Sequence, residues 1–127
     1  MSFVTRDVAF EAVRVVGPTL KQLIRRNRDL GKQAERAAAS IVLNIEEGNR
    51  RIGADRTYHF SVAAGSAAEL RGALLVGMAW DLIAEPTEAL ALLDRLGGLL
   101  YGLVKPQRSA SWRSKTSSTG STTGSST

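Results

Sequence analysis

The sequence has no cysteine and a single histidine, His59. The absence of cysteine excludes disulfide bonds, thiolate nucleophiles and cysteine-based metal sites, and one histidine cannot form a histidine cluster. No apolar run reaches the roughly 18 residues of a membrane span. The first residues lack the basic start and apolar core of a signal peptide. We therefore expect a cytoplasmic protein with no membrane partner.

Motifs of catalytic sites are missing as well. The sequence has no glycine-rich phosphate loop, no nucleophile elbow and no Glu-x-x-His pair of the kind that holds iron in helical bundles. Glu47 and Glu69 are the carboxylates that would form a pair, although a structural role fits both better. We expect a protein that is not an enzyme and needs no cofactor or metal.

Basic residues exceed acidic ones, and their distribution is uneven. The net charge is +5 over 127 residues. Residues 21–56 carry nine basic and five acidic groups, whereas residues 57–104 carry two basic and five acidic groups. From Lys105 onward there are four basic groups and no acidic group. This distribution predicts one locally basic region and a basic tail on a body that is otherwise close to neutral.

Apolar residues recur at helical spacing in four segments, which predicts an all-α, four-helix fold. The expected helices cover about residues 5–27, 29–47, 56–82 and 86–104. Thr5 and Asp55 are the expected N-caps of the first and third helices. The apolar phase continues across Gly17-Pro18, so the proline should kink one helix rather than divide it.

The composition changes after the fourth helix. Residues 1–106 form the predicted four-helix domain. Of residues 107–127, thirteen are serine or threonine, and Trp112 is the only large apolar residue among them. This composition is typical of a disordered, low-complexity tail.

The second predicted helix carries two different faces. One face is an apolar stripe formed by Leu30, Ala34, Ala38, Ile41 and Ile45. Along its flank runs a line of polar side chains, formed by Gln33, Ser40, Asn44 and Glu47. Such a line is either a solvated flank or a hydrogen-bonding seam against a neighbouring helix. The third helix offers polar partners, so we predict a structural polar seam made of Ser40, Asn44, Glu47, Ser66 and Glu69.

The third predicted helix is apolar on two nearly opposite faces. We expect one face to point inward together with Glu69; its residues are Tyr58, Val62, Gly65, Ala73, Val76 and Trp80. The other face consists of Phe60, Ala63, Ala67, Leu70, Leu74 and Met78. A helix that is apolar nearly all round is normally buried, and one subunit of this size cannot bury both faces. The second face is then an exposed patch or a subunit interface, and we predict a homo-oligomer.

Most basic residues of the central region lie near predicted helix ends or in a loop. They are candidate phosphate contacts to RNA or DNA, with a solvated basic rim as the alternative: Arg25, Arg26, Arg28, Lys32, Arg36, Arg50, Arg51 and Arg56. We predict a non-enzymatic, oligomeric protein associated with nucleic acid through this rim. The alternative is a protein-interaction or scaffold module with no direct nucleic-acid contact.

Two segments together resemble a known family. The pattern Ser40-Ile41-x-x-Asn44-Ile45-x-Glu47-Gly48, followed by Ala63-x-Gly65-Ser66-x-x-Glu69, is similar to that of the bacterial four helix bundle protein family. Members of this family are encoded in intervening sequences of large-subunit ribosomal RNA genes, among other places. The resemblance covers about residues 5–105, and the chain departs from the common pattern at Glu46, where alanine is usual.

The resemblance implies a fold and an assembly. It implies an antiparallel up-down four-helix bundle that assembles as a pentameric ring. The family is also similar to the accessory variability determinant of diversity-generating retroelements, which binds nucleic acid and its reverse transcriptase. This similarity implies RNA or DNA as one kind of partner and a reverse transcriptase or another protein as a second.

Overall fold

The structure, a computed structural model, describes residues 3–106, and within them it contains four α-helices and no strand. The helices are α1 (Phe3–Arg26), α2 (Arg28–Asn49), α3 (Gly53–Ala79) and α4 (Thr87–Val104). The predicted tail, including Trp112, lies outside the described residues.

The helices form an antiparallel up-down bundle. Helix α2 packs against α1 and α3, and α4 packs against α3 and α1. An ion pair of 2.7 Å between Arg6 and Glu46 joins the start of α1 to the end of α2. The ion pair between Arg71 and Asp94, also 2.7 Å, joins α3 to α4. The predicted four-helix fold is therefore confirmed for the described residues.

Two of the predicted helix starts are wrong. Helix α1 begins at Phe3, and Thr5 lies inside it as a buried residue because it belongs to the side of α1 that faces the core. Helix α3 begins at Gly53, so Asp55 lies in its first turn rather than at its N-cap. Helix α1 continues through Pro18, which confirms one helix rather than two.

Among the residues whose burial is described, the core consists of aliphatic residues and one aromatic residue, Phe60. The predicted apolar stripe of α2 is confirmed, with Ala34, Ala38, Ile41 and Ile45 buried and Leu30 half-buried against the core. Two glycines allow close packing along the same helix. A Cβ at Gly31 would lie 2.5 Å from the backbone of Ile24, and a Cβ at Gly48 would lie 2.6 Å from the ring of Phe60. Small residues therefore set how closely α1 and α3 approach α2.

Helix α3 is rotated opposite to the prediction. Of the face expected to be inward, only Ala73 is buried, whereas Tyr58, Val62, Gly65, Glu69, Val76 and Trp80 are exposed or half-buried. We call these six residues, together with the half-buried Gly72, the outer face of α3. The other predicted face supplies the core, with Phe60, Ala63 and Leu70 fully buried. The reason is packing, because α3 contacts α2 and α4 and the larger aliphatic side chains of α3 lie on the face that meets these two helices.

Helix α3 also has the length and hydropathy of a membrane-crossing helix. The core helix of a soluble bundle meets the same description. In this structure 39% of the most apolar 18-residue stretch of this helix is buried inside the bundle. On the outer face of α3, Tyr58 is 62% exposed, and Trp80, which directly follows the helix, is 61% exposed. The chain thus presents an apolar helix surface that its own bundle leaves uncovered.

Candidate nucleic-acid interface and polar seam

A small hydrogen-bonded cluster joins the middle of α2 to the first half of α3. The hydroxyl oxygens of Ser40 and Ser66 lie 2.7 Å apart. The Asn44 amide nitrogen donates to the Ser40 carbonyl at 3.0 Å and to the Ser40 hydroxyl at 3.2 Å. The Asn44 amide oxygen lies 3.0 Å from Nδ1 of His59. We call Ser40, Asn44, His59 and Ser66 the α2–α3 polar cluster.

The cluster determines which nitrogen of His59 carries a proton. A backbone carbonyl can only accept, so the group of Asn44 that faces the Ser40 carbonyl must be its NH2 group. The Asn44 oxygen then faces His59, and Nδ1 of His59 must donate to it. Neutral His59 is therefore the Nδ1–H tautomer, and the hydrogen bond orients its ring.

The predicted seam is only partly assembled. Ser40, Asn44 and Ser66 come together as predicted, whereas Glu47 and Glu69 lie elsewhere. Glu69 is exposed and accepts a long bond of 3.4 Å from Gln33, because it belongs to the outer face of α3. Since Gln33 and Glu47 are 14 residues apart on α2, roughly 21 Å separates the two carboxylates along the helix. They do not form a carboxylate pair.

Sequence reasoning did not identify His59 as a member of the cluster. Its spacing from Ser66 is seven residues, which is two helical turns and places both side chains on the same side of α3. In an antiparallel pair, Asn44 lies one turn beyond Ser40 on α2 and therefore points toward the earlier part of α3. These two spacings are the signal that would have identified it.

The candidate phosphate contacts divide between two ends of the bundle. Arg28 and Arg50 stand 22 residues apart along α2, which corresponds to roughly 33 Å. At one end, the turn between α1 and α2 carries Arg25, Arg26 and Arg28, all exposed. Among residues 3–106 none of these three side chains has an ion-pair partner. We call this group the turn arginines.

Two further basic residues lie along α2 from this turn. Lys32 forms an ion pair of 3.2 Å with Glu35 on its own helix. Arg36 is exposed and, within the described residues, has no ion-pair partner. The basic character of α2 near the turn therefore comes mainly from Arg28 and Arg36.

The arginines at the opposite end are engaged by neighbouring groups. Glu47 accepts from Arg51 at 2.6 Å and from Arg50 at 3.3 Å. Arg51 also reaches Asp55 at 3.2 Å. Hydrogen bonds from Arg51, and secondly from Arg50, lower the pKa of Glu47 below its usual value. The arrangement is an ion-pair network that links the end of α2 to the start of α3.

Arg56 is held differently. Its guanidinium donates to the carbonyl of Gly48 at 3.3 Å and lies 4.8 Å from the centre of the Phe60 ring. Such a contact stacks the cation on an aromatic face and supports the helix connection. Arg50, Arg51 and Arg56 thus have structural partners within residues 3–106, whereas the turn arginines have no ion-pair partner there.

Residues 3–106 contain no group of three acidic or histidine side chains arranged to hold a metal ion. The described part of the molecule is a four-helix bundle with a basic turn at one end, an ion-pair network at the other and an uncovered apolar helix face.

The chain belongs to the 23S rRNA-intervening sequence protein family, whose model matches residues 6–102. This match confirms the family resemblance seen in the paired motif. No curated protein matches the chain.

A solved structure shows the same fold. It is a protein with unknown function from the S23 ribosomal protein family of Bacteroides thetaiotaomicron VPI-5482. The TM-score is 0.71 at 24% sequence identity, and the match covers 80% of this chain and 99% of that chain. At this identity the likeness supports the fold alone.

Proposed function

We propose that this protein is a non-enzymatic assembly protein whose copies associate into a homo-oligomeric ring and bind nucleic acid through exposed arginines. The observation that carries the proposal is the outer face of α3. Its apolar residues run the length of the helix, and Glu69 is its one charged member. Apolar surface that a protein leaves uncovered in this way suggests an interaction site.

Two glycines on this face support an interface between subunits. A Cβ added to Gly65 or Gly72 would meet no other atom within 4 Å. Within a helix, glycine costs about 1 kcal/mol relative to alanine. Packing inside the subunit does not explain why glycine is used at these positions in spite of that cost. A helix of another subunit that approaches closely at Gly65 and Gly72 would explain it.

A ring requires two different surfaces on each subunit, because cyclic assemblies with more than two members use head-to-tail contacts. The second exposed apolar surface is on the other side of the bundle, where α1 carries Phe10 and α2 carries Leu43. Helices α1 and α3 are diagonal in the bundle. This placement supports a ring, and the proposal of five subunits rests on the family resemblance.

The test is the solution mass of a variant with a charge in the proposed interface. Gly65→Arg places a long cation on the outer face without touching the core of its own subunit. Ala84→Arg, in the exposed connection between α3 and α4, is the matched control. We expect light scattering to give a smaller mass for Gly65→Arg and an unchanged mass for Ala84→Arg. Equal masses for both would contradict the proposed interface.

The same observation favours a second candidate function. An apolar helix face also suits a protein-interaction or scaffold module that binds a different protein, such as a reverse transcriptase. Under this alternative the purified protein is a monomer, and Gly65→Arg abolishes capture of that protein from the source cell. Capture that is unaffected by Gly65→Arg would count against it.

A further inference from the structure

We infer that the turn arginines contact the phosphate backbone of nucleic acid, and that the arginines at the opposite end of the bundle do not. This inference rests on the proposed nucleic-acid function and names the part of the surface that performs it. It assigns six of the eight candidate residues, with Arg25, Arg26 and Arg28 as the binding group and Arg50, Arg51 and Arg56 as the structural group.

The first argument is the availability of charge. Residues 25–29 contain three arginines and one aspartate, and within residues 3–106 the three guanidinium groups have no ion-pair partner. At the other end, Glu47 and Asp55 already neutralise Arg50 and Arg51. A phosphate that binds there competes with these ion pairs, whereas the turn arginines only release counterions.

The second argument is rigidity. A single residue, Asn27, connects α1 and α2. Its backbone nitrogen donates to Leu23 at 2.7 Å, and its carbonyl accepts from Gly31 at 2.9 Å. Its side chain caps α2 by accepting from the backbone nitrogen of Leu30 at 3.1 Å. The backbone that carries the arginines is therefore fixed before binding, which lowers the entropy cost of association.

The third argument concerns the neighbouring charges. Asp29 is exposed in the first turn of α2, and Asp81 and Glu85 are exposed in the connection between α3 and α4. That connection lies beside α1, since Gln22 donates to the Leu82 carbonyl at 3.4 Å. Two of these three acids therefore belong to the α3–α4 connection, whereas the exposed arginines belong to α1 and α2.

The test compares two matched pairs of adjacent arginines in the full chain. Arg25→Gln/Arg26→Gln and Arg50→Gln/Arg51→Gln remove the same charge from opposite ends. Binding to a fluorescein-labelled single-stranded RNA and to a DNA duplex is measured by anisotropy at 50 and 200 mM salt. Losing two phosphate contacts should weaken binding on the order of 10–100-fold at the lower salt. We expect this loss for Arg25→Gln/Arg26→Gln and less than about threefold for Arg50→Gln/Arg51→Gln.

Each other outcome overturns the inference in a distinguishable way. Equal losses in both variants would indicate a response to net charge alone. A loss confined to a third variant, Arg108→Gln/Arg113→Gln/Lys115→Gln, would place binding in the tail. Binding to anionic phosphatidylserine vesicles that is tighter than to either nucleic acid and is lost in Arg25→Gln/Arg26→Gln would assign the turn arginines to a membrane surface. No binding of either nucleic acid by the unmodified protein would overturn the proposed nucleic-acid function itself. Circular dichroism and light scattering verify that all variants fold and assemble alike.

Discussion

Replacement of Asn44 by leucine should destabilise the protein, because Asn44 is the centre of the α2–α3 polar cluster. The substitution removes the bonds to Ser40 and leaves the Nδ1–H donor of His59 without its acceptor. A lost neutral hydrogen bond costs about 0.5–1.5 kcal/mol, and a buried donor left unpaired costs about 1–3 kcal/mol. Asn44 and His59 are half-buried, so water partly compensates, and we expect a loss of about 1–2 kcal/mol.

The assay is thermal or urea unfolding followed by circular dichroism at one fixed protein concentration, since association contributes to apparent stability. For a domain of about 100 residues, the expected loss lowers Tm by roughly 5–15 °C. Glu69→Gln is the control, because Glu69 is exposed and its bond from Gln33 is long; its effect should stay within about 0.5 kcal/mol.

A double variant separates the cluster from a general effect of leucine. In Asn44→Leu/His59→Leu both partners are apolar, so no donor is left unpaired, and the double variant should be no less stable than Asn44→Leu alone. Additive losses, or a loss in Glu69→Gln as large as in Asn44→Leu, would refute the reasoning.

Other predictions concern glycine packing and the ion-pair network. Gly31→Ala should lower the free energy of unfolding by about 1–3 kcal/mol, because the added Cβ meets the backbone of Ile24. Gly102→Ala should raise the free energy of unfolding by about 0.5–1 kcal/mol, because Gly102 has open space around it and alanine favours the helix. Urea unfolding of the two variants would show the opposite signs, and equal signs would contradict this account. The pKa of Glu47 is lowered in the folded protein, chiefly by Arg51, so the stability it contributes is present at neutral pH and lost as the pH falls through that lowered pKa. Glu47→Gln should therefore be less stable than the unmodified protein at pH 7, with the difference shrinking below about pH 4; a difference that does not change with pH would argue against the network.

Much of the fold could be predicted from local sequence patterns. The four helices follow from the spacing of apolar residues, and the buried stripe of α2 follows from Ala34, Ala38, Ile41 and Ile45. These predictions succeed because each depends on one helix with one apolar side. The start of α1 was misplaced because Thr5 is a common capping residue, but here it occupies a buried position.

The rotation of α3 could not be predicted in the same way. Two apolar faces give no preferred orientation, so contacts with α2 and α4 decide which face is buried. In the observed orientation of α3, Glu69 lies outside the predicted seam and His59 lies within the α2–α3 polar cluster. The basic residues could not be divided into two groups from the sequence, because Arg50-Arg51 and Arg25-Arg26 are the same dipeptide. The structure distinguishes them by showing Glu47 paired with Arg50 and Arg51.

The central claim is that the outer face of α3 is covered by another copy of this chain. The most direct measurement is the solution mass of the unmodified protein by light scattering across a range of concentrations. The subunit mass is 13.6 kDa. The proposed ring predicts a single species of five times that mass. The ratio of the ultraviolet absorbances of nucleic acid and protein in this species also shows whether nucleic acid co-purifies with it. A mass of one subunit at every concentration would contradict the claim.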